Sequence, residues 1–248
     1  MKLYGLIGKS LDHSFSHSYF KEKFEKEGID NAYYNLYPLQ NIDEFNQLVS
    51  EFSDLSGLNV TIPYKTEIIP FLDYLDNAAK EIGAVNTIKF KSENGKLQLF
   101  GYNTDYLGFW ESLKPFLKEH HKKALILGTG GSSKAVSYAL KQANISHLFV
   151  SRNANQKDLI SYNQLNEQLL QEYTIIINTS PLGMFPKIDE YPNIPYEFLS
   201  PKHILFDLIY NPNQTIFLKK GQEQGAVIKS GLEMLKIQAN YSWKIWNT

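Results

Sequence analysis

Short apolar runs alternate with amphipathic stretches along the second half of the chain. The runs at residues 124–127, 147–150, 174–178 and 204–207 are each typical of a buried strand. Strands are predicted to alternate with helices here, with one helix opening near Ser132, another near residues 215–220, and a further strand at 226–229. Because strands that alternate with helices form parallel sheets, this half predicts a doubly wound α/β fold.

The first half predicts a second α/β unit with shorter elements. Strands are expected at residues 3–7, 33–36 and 58–63, with a helix up to about Glu27 and others at 41–50 and 76–82. Asn94-Gly95 predicts a hairpin between residues 83–90 and 96–100. Helices are also expected at 105–116 and at 232–246, the latter with Met234 on an apolar stripe. A composition shift near Asp105 marks a candidate domain crossing.

A glycine cluster follows the strand at 124–127 and opens a predicted helix. Gly128 suits a sharp turn, whereas Gly130 and Gly131 place no side chain between the backbone and an approaching pyrophosphate. The N–H groups of a helix starting near Ser132 would bind that anion. The alternative is a tight strand-to-helix turn without a ligand, since Ser133 stands where a third glycine is usual.

The residue after the next strand bears on which dinucleotide is bound. An acidic residue there would bind the ribose 2′-hydroxyl of NAD, but this chain has Arg152, its one arginine among 25 basic residues. A guanidinium binds a phosphate through two parallel hydrogen bonds, which predicts NADP. A surface arginine without a ligand is the alternative interpretation.

Composition excludes several classes of function. The 248 residues carry a net charge of −1, so no broad basic surface is expected for nucleic acid or an anionic membrane. The absence of cysteine excludes disulfides, thiolate metal sites and thiol nucleophiles. The six histidines form no metal-binding motif, and neither a G-x-S-x-G elbow nor a phosphate loop is present. With no signal peptide before Asp12 and no 18-residue apolar run, we expect a cytoplasmic protein.

Polar residues cluster at three places in the first half. Ser14 and Ser16 flank an aromatic residue at a predicted helix start, where they suit either helix capping or binding of a carboxylate or polyol. Asn59 and Thr61 share one face of a predicted strand, with Lys65 just beyond it. Asp105 begins a helix, and N-capping is the alternative to a chemical role.

Taken in order, these motifs resemble those of the shikimate dehydrogenase family over nearly the whole chain. The matching segments are Ser14-Phe-Ser16, N-V-T-x-P-x-K at 59–65, G-A-V-N-T at 83–87, N-T-D at 103–105, G-x-G-G-x-x-x-A at 128–135, the N-R-T position at 151–153, N-T-[ST]-P-x-G-M at 178–184, D-x-x-Y-x-P at 207–212, and the closing helix at 231–235 with Gln238. The G-x-G-G pattern also accounts for the missing third glycine.

The resemblance implies reversible reduction of 3-dehydroshikimate to shikimate with NADPH, in aromatic amino-acid biosynthesis. It implies a catalytic pair, Lys65 and Asp105, that exchanges the proton of the reacting hydroxyl. Implied substrate contacts are Ser14, Ser16, Asn59, Thr61, Asn86, Asp105, Tyr210 and Gln238. Implied cofactor contacts are Gly128, Gly130, Gly131, Ser132, Arg152, Thr179, Ser180, Leu208, Gly231 and Met234.

The implied architecture is a substrate domain of residues 1–104 and 231–248, with a Rossmann-like NADP domain of residues 105–230 inserted and a cleft between them. The family pattern is broken at Ser151, around Gln156 and Lys157, and at His17. Two alternatives stay open: an NAD-linked quinate/shikimate dehydrogenase, and a non-catalytic dinucleotide sensor. The expected partners are small molecules, and the expected assembly is a monomer or homodimer.

Overall fold

A computed structural model describes residues 1–11, 14–93, 95–152 and 158–248. The chain divides into two compact units, Met1–Thr104 with Ala239–Thr248, and Asp105–Gln238. Our predicted domain limits put the second crossing at residue 231, whereas residues 231–238 belong here to the second unit. Predictions involving Asp12, Asn94, Asn153, Gln156 and Lys157 fall outside the described residues.

The first unit is built on a six-stranded mixed sheet. Its strands are β1 (Lys2–Gly8), β2 (Ala32–Pro38), β3 (Leu55–Val60), β4 (Tyr74–Leu75), β5 (Thr87–Glu93) and β6 (Lys96–Tyr102), in the order β2-β1-β3-β5-β6-β4. Its helices are α1 (Phe15–Glu27), α2 (Phe45–Glu51) and α3 (Asn77–Ile82). Strand β1 pairs in parallel with β2 and β3, whereas β5 pairs antiparallel with β3 and β6.

Strand β3 is earlier in the chain than predicted. We expected residues 58–63, but the strand ends at Val60 and the chain turns, with Tyr64 N–H donating to Thr61 O at 3.0 Å. Pro63 lacks the N–H that would continue the ladder. The start at Leu55 was missed because Ser56 and Gly57 interrupt the apolar run expected of a strand that lies between β1 and β5 and is buried on both faces.

The second unit is a parallel six-stranded sheet with helices. Its strands are β7 (Lys123–Leu127), β8 (Ser146–Ser151), β9 (Leu159–Ser161), β10 (Ile175–Asn178), β11 (Ile204–Asp207) and β12 (Val227–Ser230), in the order β12-β11-β10-β7-β8-β9. Its helices are α4 (Asp105–Leu113), α5 (Gly131–Gln142), α6 (Glu167–Glu172) and α7 (Ile216–Glu223); helix α8 (Leu232–Trp246) begins here and ends in the first unit. This confirms the predicted doubly wound fold.

The order of the second sheet reverses between β7 and β10. Side chains of these central strands are buried on both faces, in one core cluster with Phe109 and Phe206 and another with Leu170 and Phe217. Sequence analysis missed β9 and α6, which are three and six residues long. In doubly wound sheets ligands bind beyond the carboxyl ends of the strands at such a reversal. A ligand site is therefore expected at the loops after β7 and β10.

The end of α8 is tied into the first unit by Trp246. Its indole N–H donates to Ile88 O at 2.9 Å, and its ring stacks on Tyr4 with 4.8 Å between centroids. A Cβ on Gly57 would lie 2.2 Å from the indole nitrogen, so only glycine fits beneath this ring.

We predict that Trp246→Ala lowers the free energy of unfolding by about 3 to 5 kcal/mol, because it leaves a cavity in the core and an unpaired carbonyl. Urea unfolding measures the change. Trp246→Phe keeps most of the packing and should cost less, so equal losses for the two variants would contradict this role for the ring.

Candidate functional site

The glycine turn after β7 is held against the next strand of the sheet. Gly128 has φ +113°, a conformation that favours glycine, and its N–H donates to Val150 O at 2.9 Å. A Cβ at this position would lie 2.9 Å from Thr179 Oγ1. A larger residue would therefore strain the backbone and collide with the neighbouring loop.

Helix α5 begins with an uncovered first turn. Gly130 is its N-cap residue and offers no side chain to the first N–H groups of the helix, and no described atom beyond its neighbours lies within 4 Å of the place where its Cβ would be. Gly131 and the half-buried Ser132 form the first turn. This open, positively polarised helix start fits a pyrophosphate.

The departure from the three-glycine pattern is explained by Ser133. This residue is fully buried, and its hydroxyl donates to Gly130 O at 2.6 Å. The serine thus fits at the close approach of helix and sheet, and it stabilises the turn with a hydrogen bond.

The loop after β10 lies beside the glycine turn. Thr179 donates to Leu127 O twice, from its N–H at 2.9 Å and from its hydroxyl at 2.8 Å. Ser180 donates to Asn178 Oδ1 from its N–H at 3.0 Å and from its hydroxyl at 2.6 Å. The structure therefore brings Gly128, Thr179 and Ser180 together at the reversal of the sheet.

A buried carboxylate connects this loop to the turn after β11. Asp207 is fully buried and accepts from Thr215 Oγ1 at 2.6 Å, from Ile209 N–H at 3.1 Å and from Asn178 Nδ2 at 3.1 Å. Burial raises the pKa of Asp207 to about 7, against the opposing effect of these three hydrogen bonds. Sequence analysis assigned Asp207 no role, although its place at the end of an apolar strand was a signal.

The remaining cofactor candidates divide into two places. Gly231 N–H donates to Ile209 O at 3.0 Å, and a Cβ on it would lie 2.1 Å from Leu208 O, so Gly231 packs directly on the turn after β11. Met234 is buried in the core cluster with Phe109 and Phe206.

Arg152 follows the end of β8 and is exposed. Burial raises the pKa of the Tyr162 phenol, and the positive charge of Arg152 opposes this rise. Arg152 is therefore close enough to Tyr162 to act on it electrostatically, at the edge of the sheet where β9 lies.

A buried polar network holds the substrate candidates Asn59 and Asn86 in the first unit. Asn59 pairs across the sheet with Thr87, and its Nδ2 donates to Ser242 Oγ at 2.9 Å and to Asn86 O at 3.2 Å. Because a main-chain oxygen only accepts, the amide orientation is fixed, and Oδ1 accepts from Tyr34 OH at 2.9 Å. Tyr34 and Ser242 were not predicted, since nothing in the sequence places them beside Asn59.

The two serines stand at the start of α1, Ser14 as its N-cap and Ser16 in its first turn, and the segment at 61–65 follows β3. Ser14 caps α1, with its hydroxyl accepting from Ser16 N–H at 3.3 Å, so the capping role is present. Burial raises the pKa of Tyr34, and a hydrogen bond with the Ser16 side chain opposes the rise. Thr61 N–H donates to Ile7 O at 2.9 Å, and Lys65, which is half-buried, accepts from Val85 N–H at 2.7 Å through its main chain.

The other substrate candidates belong to the second unit. Asp105 is the first residue of α4 and is buried, and a carboxylate in a first turn is stabilised by the helix dipole. Gln238 is buried on α8, where its Nε2 donates to Leu235 O at 3.0 Å, and Tyr210 is half-buried in the turn after β11. A Cβ on Gly108 would lie 2.6 Å from Met234 O, which shows that helices α4 and α8 approach closely.

Within the residues that the structure describes, no group of three or more histidine, aspartate or glutamate side chains could hold a metal ion. None of the helices found there is both long and apolar enough to cross a bilayer.

The buried carboxylate predicts a pH dependence of stability. The pKa of Asp207 is about 7 in the folded protein and about 4 in an unfolded chain, so the folded state binds the extra proton between these values. Stability from this group is complete below about pH 4 and is lost as the pH rises through 7, by about 4 kcal/mol at most. Asp207→Asn should therefore lose less stability than the wild type in urea unfolding between about pH 5 and pH 8.

The control for this experiment is Asp189→Asn, which changes an exposed carboxylate and should behave as the wild type. Equal pH dependence in the wild type and Asp207→Asn would contradict the assignment to Asp207.

Comparison with known proteins assigns the chain to a family. The model of the shikimate dehydrogenase substrate binding domain matches residues 6–88. The NADP(+) shikimate dehydrogenase of Aquifex aeolicus is 39% identical over 255 residues, which cover 99% of this chain and 91% of that protein. The crystal structure of the Aquifex aeolicus enzyme superposes with a TM-score of 0.87 at 36% identity, covering 100% of this chain and 92% of that one.

A second similar structure was solved with two ligands bound. The shikimate 5-dehydrogenase of Thermus thermophilus, solved in complex with NADP(H) and shikimate, has a TM-score of 0.86 at 27% identity and covers 99% of this chain and 93% of that one. Similarity of this extent spans both units of the fold, including the glycine turn, the Asn59 segment and the turn after β11. The chain therefore belongs to the shikimate dehydrogenase family.

Proposed function

We propose that this protein is an oxidoreductase that reduces 3-dehydroshikimate reversibly to shikimate with NADPH, in aromatic amino-acid biosynthesis. The observation that carries the proposal is the near full-length similarity to NADP-dependent shikimate dehydrogenases. We also propose that the protein acts in the cytoplasm on small molecules, as a monomer or homodimer.

The second unit fits NADP. The uncovered start of α5 at Gly130 and Gly131, with Ser132, suits the pyrophosphate, and the adjacent Gly128, Thr179 and Ser180 form its surroundings. Further contacts are assigned to Leu208, Gly231 and Met234 on and near the turn after β11. The 2′-phosphate is assigned to Arg152, whose guanidinium is exposed. When bound, NADPH supplies the hydride for the carbonyl carbon.

The substrate roles are assigned to polar side chains of both units. Ser14 and Ser16 bind the carboxylate, and the residues that bind the hydroxyl groups of the ring are Asn59, Thr61, Asn86, Tyr210 and Gln238. Asn59 donates both amide protons within the protein, so its part in this assignment is played by Oδ1, whose second lone pair accepts from a ring hydroxyl.

Lys65 and Asp105 are assigned to proton exchange. Reduction of a ketone adds hydride to carbon and a proton to oxygen, so a donor is needed next to that oxygen. An ammonium group is such a donor, and a carboxylate orients the hydroxyl that forms. In the oxidation direction the same pair accepts the proton.

The activity test is the change in NADPH absorbance when shikimate and NADP are mixed with the purified protein. Reduction of NADP with shikimate supports the proposal. Activity with quinate and NAD in preference would favour the quinate/shikimate dehydrogenase alternative, and binding of NADP without turnover of either substrate would favour a sensor.

We predict that Lys65→Ala lowers kcat by about 100-fold or more, with a smaller change in KM for shikimate, because the variant loses proton transfer in the transition state. Steady-state kinetics measure both constants. Lys91→Ala, which removes an exposed lysine of the same unit, is the matched control and should leave both unchanged. A large rise in KM at constant kcat would make Lys65 a binding residue.

We predict that Arg152→Gln raises KM for NADPH by about tenfold to hundredfold, which corresponds to loss of about 1.5 to 3 kcal/mol of charge-assisted hydrogen bonding. KM for NADH should stay within about twofold, since NADH has no 2′-phosphate to lose. Equal effects on the two cofactors would show that Arg152 does not read the phosphate.

A further inference from the structure

Three segments of the second unit converge on one buried carboxylate. Asp207 accepts from Asn178 at the end of β10, from Ile209 in the turn after β11, and from Thr215, which caps α7 with its hydroxyl. Strands β10 and β11 are neighbours, paired at Asn178 and Asp207 themselves. The carboxylate therefore lies between the two loops assigned to the cofactor.

Hydrogen bonds connect Asp207 to the loop after β10. Asn178 Nδ2 donates to Asp207 Oδ1, and Asn178 Oδ1 is turned toward Ser180, whose main-chain N–H can only donate. Oδ1 accepts from both the N–H and the hydroxyl of Ser180, while Nδ2 also donates to Leu182 O at 3.3 Å. The loop conformation at residues 179–182 thus depends on the position of one amide, which Asp207 holds from the side of β11.

Asp207 is also bonded directly to the turn after β11. Ile209 N–H donates to Asp207 Oδ1, and Ile209 O in turn accepts from Gly231 N–H. Leu208 and Tyr210 flank Ile209, so both are placed by a residue that Asp207 holds.

We propose that Asp207 is a positioning residue for NADP: through Asn178 and Ile209 it holds the loops after β10 and β11 in the conformation that binds the cofactor. This inference rests on the proposed function, because it takes these loops to be cofactor contacts. A loop held in its binding conformation before the ligand arrives loses less freedom on binding, and this raises affinity.

The test is the dissociation constant of NADP, measured by titration of the purified protein in the absence of substrate. Asp207→Ala leaves the Asn178 and Ile209 donors unpaired and should weaken NADP binding by about tenfold or more. Asp207→Asn keeps an acceptor oxygen toward both donors and should restore the affinity to within about threefold of the wild type.

The control separates positioning from folding. Ile204→Ala lies at the other end of β11, is fully buried, and should lower the melting temperature without changing NADP affinity. If Asp207→Ala does not fold, Asn178→Ala replaces it, because it cuts the link to Ser180 while Asp207 keeps Ile209 and Thr215.

Wild-type affinity in Asp207→Ala or its replacement would overturn the proposal and leave Asp207 a purely structural residue. An equal loss in Asp207→Asn and Asp207→Ala would overturn it as well, because the acceptor geometry would then not matter. Failure of the wild-type protein to bind NADP would instead refute the proposed function, so the two failures are distinguishable.

Discussion

Polar side chains buried at strand ends must find hydrogen-bond partners, and both units of this protein depend on that constraint. In the first unit the constraint is met around Asn59, whose amide joins Tyr34 to Ser242. In the second it is met around Asp207, which joins Asn178 to Thr215. In each case the loops that carry candidate ligand contacts leave the sheet next to the network. The hydrogen bonds that folding requires therefore also hold these candidate contacts in place.

At the reversal of the second sheet, glycine occupies positions where a Cβ would collide with neighbouring atoms. A Cβ on Gly128 would lie 2.9 Å from Thr179 Oγ1, and Gly231 packs on Leu208 with even less room. Gly130, by contrast, has open space at its Cβ position, so packing does not explain why it is glycine. Under the proposed function, access of the pyrophosphate to the first N–H groups of α5 accounts for this glycine, whereas Gly128 and Gly231 are required by the fold.

Hydrophobic patterns and motifs along the chain predicted the fold, but they could not predict contacts between residues far apart in the sequence. Apolar runs located β7, β10 and β11 well, because a strand buried on both faces is apolar throughout. The start of β3 at Leu55 was missed because Ser56 and Gly57 interrupt its apolar run, and the short β9 and α6 are too brief to show a period. The motifs pointed to Asn59, but its bond to Ser242 joins residues 183 apart, and a pairing of that kind leaves no trace in one sequence.

The choice of aspartate rather than asparagine at position 207 has a physical explanation. A buried carboxylate costs stability, as its raised pKa shows, and an asparagine would avoid that cost. Asp207, however, accepts at both of its oxygens, from Thr215 at Oδ2 and from Asn178 and Ile209 at Oδ1. An asparagine with its oxygen toward Asn178 and Ile209 turns its Nδ2 toward Thr215, so it loses the bond that Thr215 donates. Aspartate therefore exchanges some stability of the fold for an acceptor toward all three donors.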